Sequence, residues 1–115
     1  MTPRAVLYRW DELPLEKVTE MVARKAIAAT ELELTQAYFK KGALVPLHQA
    51  PSELAVYVLQ GAMRFRIGLE DRTVREGEVI VIAAGTSHQS ESLDDTFVVT
   101  VVARSPDGPE RTTAV

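Results

Sequence analysis

The sequence predicts a single all-β domain, a barrel or sandwich. Three observations support this: apolar runs of strand length that alternate with polar residues, turn residues that break them at short intervals, and a length of 115 residues, enough for one core but not two. The interruptions recur too regularly for an α/β crossover pattern.

The elements follow in order. The region from Asp11 to Thr30 admits two readings. Leu15, Val18 and Val22 recur at helical spacing after Pro14, a residue tolerated in a first helical turn. A strand from about Met21 to Ala29, preceded by a loop or a single helical turn, fits the rest of the architecture better and is the reading adopted. Leu32 to Phe39 alternates and stops at Lys40-Lys41-Gly42. Leu44 to Gln49 leads to a turn at Pro51-Ser52, and Glu53 to Gln60 is a Val-, Leu- and Tyr-rich strand closed by Gly61. Met63, Phe65 and Ile67 alternate with Arg64 and Arg66, a half-buried strand with two guanidinium groups on its outer face. Gly68 to Asp71 makes a turn, Arg72 to Arg75 a short strand, and Glu76-Gly77-Glu78 another turn. Val79 to Ile82 is apolar on both faces, as a strand enclosed within a sandwich would be. Gly85-Thr86-Ser87 turns the chain into a polar strand from His88, and Thr96 to Arg104 is the last apolar strand. The tail from 106 to 115 reads as loose. Residues 1–30 thus form an N-terminal strand and loop segment, and 31–105 the barrel.

Composition removes several function classes. A net charge of −3, a pI near 5.4 and scattered Lys and Arg give no attraction to nucleic acid or anionic lipid. Neither is expected as a partner. Without cysteine there is no disulfide framework, zinc ribbon or thiol nucleophile. Met1 to Trp10 lacks the apolar core of a signal peptide, and Val79 to Ala84 and Phe97 to Ala103 are far too short to span a membrane. A soluble, cytoplasmic protein is expected.

His48 and His88 are the only histidines, and each lies in a glycine-bracketed segment. The first runs from Gly42 through His48, Ala50 and Leu54 to Gly61; the second runs from Gly77 through Gly85 and His88 to Ser92. Together they resemble the two motifs of the cupin family: Gly, five residues, His-x-His, three or four residues, Glu or Gln, six residues, Gly; and Gly, five residues, Pro-x-Gly, two residues, His, three residues, Asn. Gly42, His48 and Gly61 match the first motif, and Gly77, Gly85 and His88 the second; the resemblance spans roughly residues 32 to 104. It implies a double-stranded β-helix, the cupin or jelly-roll barrel, in one domain. The family's spacing has a plain reason. Residues two apart on a strand share a face, so His-x-His aims two imidazoles into the barrel, where a carboxylate and a third histidine complete a site for Ni, Mn, Fe or Zn.

The departures matter as much as the matches. Ala50 stands for the second histidine and Leu54 for the carboxylate or amide ligand, which leaves His48 and His88 from a set of four. The expectation is therefore no cofactor, with a divalent metal as the alternative if a bulge turned Glu53 inward. His48 and His88 are expected to share one pocket and to serve as acid, base or hydrogen-bonding groups without a metal. By strand parity Val56, Val58 and Gln60 join Leu54 in lining the cavity or serve as ordinary core and strand-end residues, and Gln36 and Tyr38 share a face that either offers it polar groups or simply places a Tyr at a sheet surface. Arg64 and Arg66 read as solvated or at a subunit contact. Arg104, near the barrel mouth, is a candidate for holding an anion, with a plain surface charge as the alternative.

Within the family the chain looks most similar to the small single-domain group that includes the enzyme linearising unsaturated uronates, through Val22-Ala-Arg24-Lys25, Phe39-Lys-Lys-Gly42-Ala and Ser105-Pro106. That group's acidic and aromatic residues in the last strand, and its Arg after the proline, correspond to Val102, Arg104 and Gly108 here. The reading adopted is a cupin with an incomplete metal site that binds a small polar or acidic molecule near His48 and His88. An isomerase, lyase or oxygenase acting on a sugar acid or similar molecule is the alternative, and a purely structural module a third. The resemblance also implies a homodimer paired through N-terminal strands or sheet faces.

Overall fold

Strands of four to eight residues, separated by tight turns, assemble into two facing antiparallel sheets. A computed structural model describes residues 4–104; the expectations for the tail, with Ser105, Pro106 and Gly108, lie outside the described residues. After a single 3-10 turn at Trp10–Glu12 come β1 (Glu16–Thr19), β2 (Val22–Ala28), β3 (Leu32–Phe39), β4 (Leu44–Gln49) and β5 (Leu54–Gln60). They are followed by β6 (Ala62–Ile67), β7 (Glu70–Arg75), β8 (Val79–Ile82), β9 (Ser87–Ser92) and β10 (Thr96–Ala103). One sheet has the order β1-β2-β3-β10-β5-β8 and the other β4-β9-β6-β7. This is the single-domain jelly-roll barrel that the resemblance implied.

The ambiguous N-terminal region resolves into a single helical turn and then strand. β2 pairs with β3 over seven positions, from Val22↔Phe39 to Ala28↔Glu33, and β1, which the sequence did not announce, extends that sheet with a bulge at Val18. Leu15 and Val18, which mimicked a helical stripe, are exposed, whereas Val22 packs into the core.

The core lies between the sheets, on inward faces set by alternation: Ala37 and Phe39 of β3, Leu54, Val56 and Val58 of β5, Met63 and Phe65 of β6, and Val98 of β10. Arg64 and Arg66 face outward, where both hydrogen-bond the Asp71 carboxylate and hold its pKa below the usual value.

Two expectations need correction. β7 starts at Glu70, so the preceding turn is Gly68-Leu69, with Gly68 at positive φ. β8 is an edge strand: Ile80 and Ile82 pack inward, but Val79 and Val81 are 54% and 61% exposed. An all-apolar strand can be buried on both faces or leave one face bare, and the sequence does not distinguish the two.

Candidate binding pocket

The two histidines meet because β4 carries one extra residue. Val45 pairs with Ser90 and His48 with His88, so Pro46 and Leu47 together oppose Gln89. Pro46 has no N–H to give the ladder, and a bulge is where a strand tolerates that. The bulge resets the parity, so that Val45, His48 and Ala50 all turn inward while Leu44 and Leu47 stay exposed. The imidazole rings lie edge to face with centroids 4.2 Å apart. The loop that delivers His88 is tied to the end of β4: Gly85 N–H donates to Ala50 O (2.7 Å), Ala50 N–H to Thr86 O (3.1 Å), and Gln49 Nε2 to Gly85 O (2.8 Å).

Each imidazole is fixed by the backbone two residues before it. His48 Nδ1 lies 2.9 Å from Pro46 O, and His88 Nδ1 lies 3.2 Å from Thr86 O. A carbonyl oxygen only accepts, so each Nδ1 carries the hydrogen and, in the neutral ring, each Nε2 keeps a bare lone pair. Both Nε2 atoms are buried with no hydrogen-bond partner among the described residues. Burial lowers the His88 pKa below its ordinary value; the Thr86 hydrogen bond opposes the shift, and the neighbouring His48 adds to it. His88 is therefore neutral at pH 7.

The buried polar groups extend to residues that sequence reasoning had not singled out. On the inner face of the six-stranded sheet, Glu33 and Thr35 of β3 lie beside Val102 and Thr100 of β10, which lie beside Leu54 and Val56 of β5. Glu33, Thr35 and Thr100 are buried, as is Ser90 of β9, two residues from His88 on the same face. Thr35 Oγ1 donates to Glu33 Oε1 over 3.4 Å. Ser90 Oγ and Thr100 Oγ1, like the two Nε2 atoms, are buried without a partner among the described residues. One signal in the sequence pointed here: Ser90 follows His88 at the two-residue spacing of a shared strand face.

The structure takes several candidate residues away from this pocket. Gln36 and Tyr38 lie on the outer face of β3, because Thr35, Ala37 and Phe39 point inward; Tyr38 stacks on Phe97 outside the barrel at 4.6 Å. Gln60 is turned out by a bulge at Leu59: Val58 pairs with Val98 inside, but Gln60 pairs with Phe97 outside. Val56 and Val58 are core residues. Arg104 donates from Nη1 to Ala29 O (3.0 Å) and from its backbone N–H to Glu31 O (3.0 Å), tying down the β2–β3 turn.

The family's metal does not fit the donor set present. Ala50 is 1% exposed and Leu54 3%, so carbon occupies two ligand positions within the core. Glu53 is exposed and precedes a strand that pairs in regular register with β8, with no bulge to turn it inward. Among the described residues no group of three or more His, Cys, Asp or Glu side chains could hold a metal ion, and two imidazoles fall short of the three ligands protein sites normally supply.

Comparison with known proteins agrees with the fold. The family model described as Cupin domain matches residues 36–103, more than half of the chain. KdgF from Halomonas sp. superposes with a TM-score of 0.80 at 24% identity, covering 90% of this chain and 96% of that one. An RmlC-like cupin from Shewanella frigidimarina gives 0.81 at 14% identity, covering 93% and 97%. A single-residue variant of oxalate decarboxylase from Bacillus subtilis gives 0.76 at 15% identity, covering 88% of this chain and 30% of that one. No curated protein sequence matches. Among the described residues no helix is long and apolar enough to cross a membrane. With the barrel topology, the paired histidines on its inner face and the family match over its central strands, this chain belongs to the cupin family.

Proposed function

We propose that this cupin binds a small polar molecule inside the barrel, between His48 and His88, without a resident metal. The observation that carries the reading is the pair of buried Nε2 atoms that lack partners among the described residues, each held toward the interior by an Nδ1–H···O=C bond. Leaving a buried acceptor unmatched costs about 1–3 kcal/mol. Two of them, together with the unmatched hydroxyls of Ser90 and Thr100, set a cost that a bound polar molecule removes. Ordered water would remove it too. The chemistry offered is that of a carrier, sensor or accessory subunit.

The test is a thermal-shift screen of small polyols, sugars, amines and acids, run on wild type, His48→Ala and His88→Ala. A ligand that stabilises the wild type and neither variant supports a histidine-lined pocket. Equal shifts in all three proteins, or none from any compound, count against it. A companion variant checks the geometry: Ala50→His with Leu54→Glu restores the family's ligand set and is expected to bring stoichiometric Ni or Zn binding where the wild type is expected to show none.

A further inference from the structure

The lining of the pocket also selects the sign of its ligand, an inference that rests on the pocket just proposed. In the neutral ring each imidazole spends its one N–H on the backbone, so toward the interior it accepts and does not donate. His88, kept neutral by burial, offers no positive charge at neutral pH. Two candidate cations among the described residues are engaged elsewhere. Arg24, buried on β2, is paired with Glu16 at 3.4 Å, and the guanidinium of Arg104 is bound to the carbonyl of Ala29. Where a carboxylate-binding pocket would present Arg or Lys in bidentate or point-charge contact, β10 presents Val102 and Thr100.

We infer that this pocket takes a hydrogen-bond-donating, uncharged or cationic small molecule, its hydroxyl or ammonium hydrogens pointing at the two Nε2 atoms, and that it turns carboxylates away. Ser90 and Thr100 hydroxyls, which donate and accept, supply the complementary contacts. This pocket thus reverses the preference expected of a site for acids, by losing ligands at Ala50 and Leu54 and offering, among the described residues, no free cation in their place.

Two measurements test this. The first needs no ligand: nitrogen-15 NMR of the imidazole rings at pH 7.5 is expected to report both histidines in the Nδ1–H form. A ring protonated at Nε2, or cationic, at that pH overturns the inference. The second titrates glucose, glucosamine and glucuronate, ring-matched molecules that are neutral, cationic and anionic, and follows the Nε2 resonances. Glucose or glucosamine should move both resonances and bind at least tenfold more tightly than glucuronate. Tighter binding of glucuronate would overturn the preference while leaving the pocket itself intact. Nε2 resonances unmoved by all three at 100 mM would count against both the preference and the pocket.

Discussion

Strands β9 and β10 each carry buried hydroxyls at the end closed by the turn that joins them and again farther along, toward the histidines, and the fold treats the two sets differently. At the closed end, Ser92 Oγ donates to Lys40 O (2.5 Å) and accepts from Ala43 N–H (3.0 Å), while Thr96 Oγ1 donates to Asp94 O (2.8 Å) and accepts from Ala62 N–H (3.2 Å). Toward the histidine end, Ser90 Oγ and Thr100 Oγ1, on the same strands and equally buried, have no partner among the described residues. The residue types and burial are the same; only the satisfaction differs. The hydroxyls that close a turn are matched by the fold, and those of Ser90 and Thr100 are not.

The largest expected effect breaks the closed end. Gly61 has φ +90°, and a Cβ there would lie 2.5 Å from Asp95 O and 2.8 Å from Thr96 Cα, both backbone atoms. Gly61→Ala combines left-handed strain with a clash that cannot be relieved by moving a side chain, and is expected to cost about 3 kcal/mol or more in chemical denaturation. Gly85, also at positive φ but facing open space, is the control: its alanine variant carries strain alone, about 1 kcal/mol.

Ser92→Ala sharpens the comparison from the same side. It removes one of the two donors to Lys40 O, leaving Ala43 N–H, and one of the acceptors of Ala43 N–H, for an expected loss of about 1–2 kcal/mol. Thr100→Val, of nearly the same shape, is expected to do the opposite: removing an unmatched buried hydroxyl leaves stability unchanged or raises it by up to about 1 kcal/mol, while weakening whatever ligand the pocket holds. Equal destabilisation by both would mean that the Thr100 hydroxyl is satisfied and that the two ends do not differ.

The smallest effect is a pH slope from the histidine end. His88 in the folded protein has a lowered pKa, so below the unfolded value of about 6.5 the unfolded chain binds more protons. Stability is then level above that pH and falls as the pH drops through it, until the folded His88 itself protonates. His88→Gln should flatten this part of the curve. The lowered Asp71 pKa acts in a separate, more acidic window, where stability is lost as pH falls below the ordinary carboxylate range.

Particular residues show how far the sequence could be read. The turns at Gly42, Gly61, Gly77 and Gly85 and the nine strands from β2 to β10 were legible, because glycine's tolerance of positive φ and the two-residue period of a strand are local properties, whereas the meeting of His48 with His88 was implied by the resemblance to the cupin motifs. Gln36 and Tyr38 were misplaced because Leu32 and Leu34, on their side of β3, sit on an apolar outer face, while Glu33 and Thr35 turn inward. That is the reverse of the usual apolar-in rule. Gln60 was misplaced by a single bulged residue, Leu59.

The sequence by itself determined the barrel, the positions of its turns and the loss of the family's ligand set at Ala50 and Leu54. Only the tertiary structure decided which face of each strand lines the pocket, and which buried polar atoms the fold leaves unmatched. The reason is that alternation follows from the covalent geometry of each strand, whereas inward and outward are fixed by pairing with residues tens of positions away, where one extra residue, at Pro46-Leu47 or Leu59, inverts the parity.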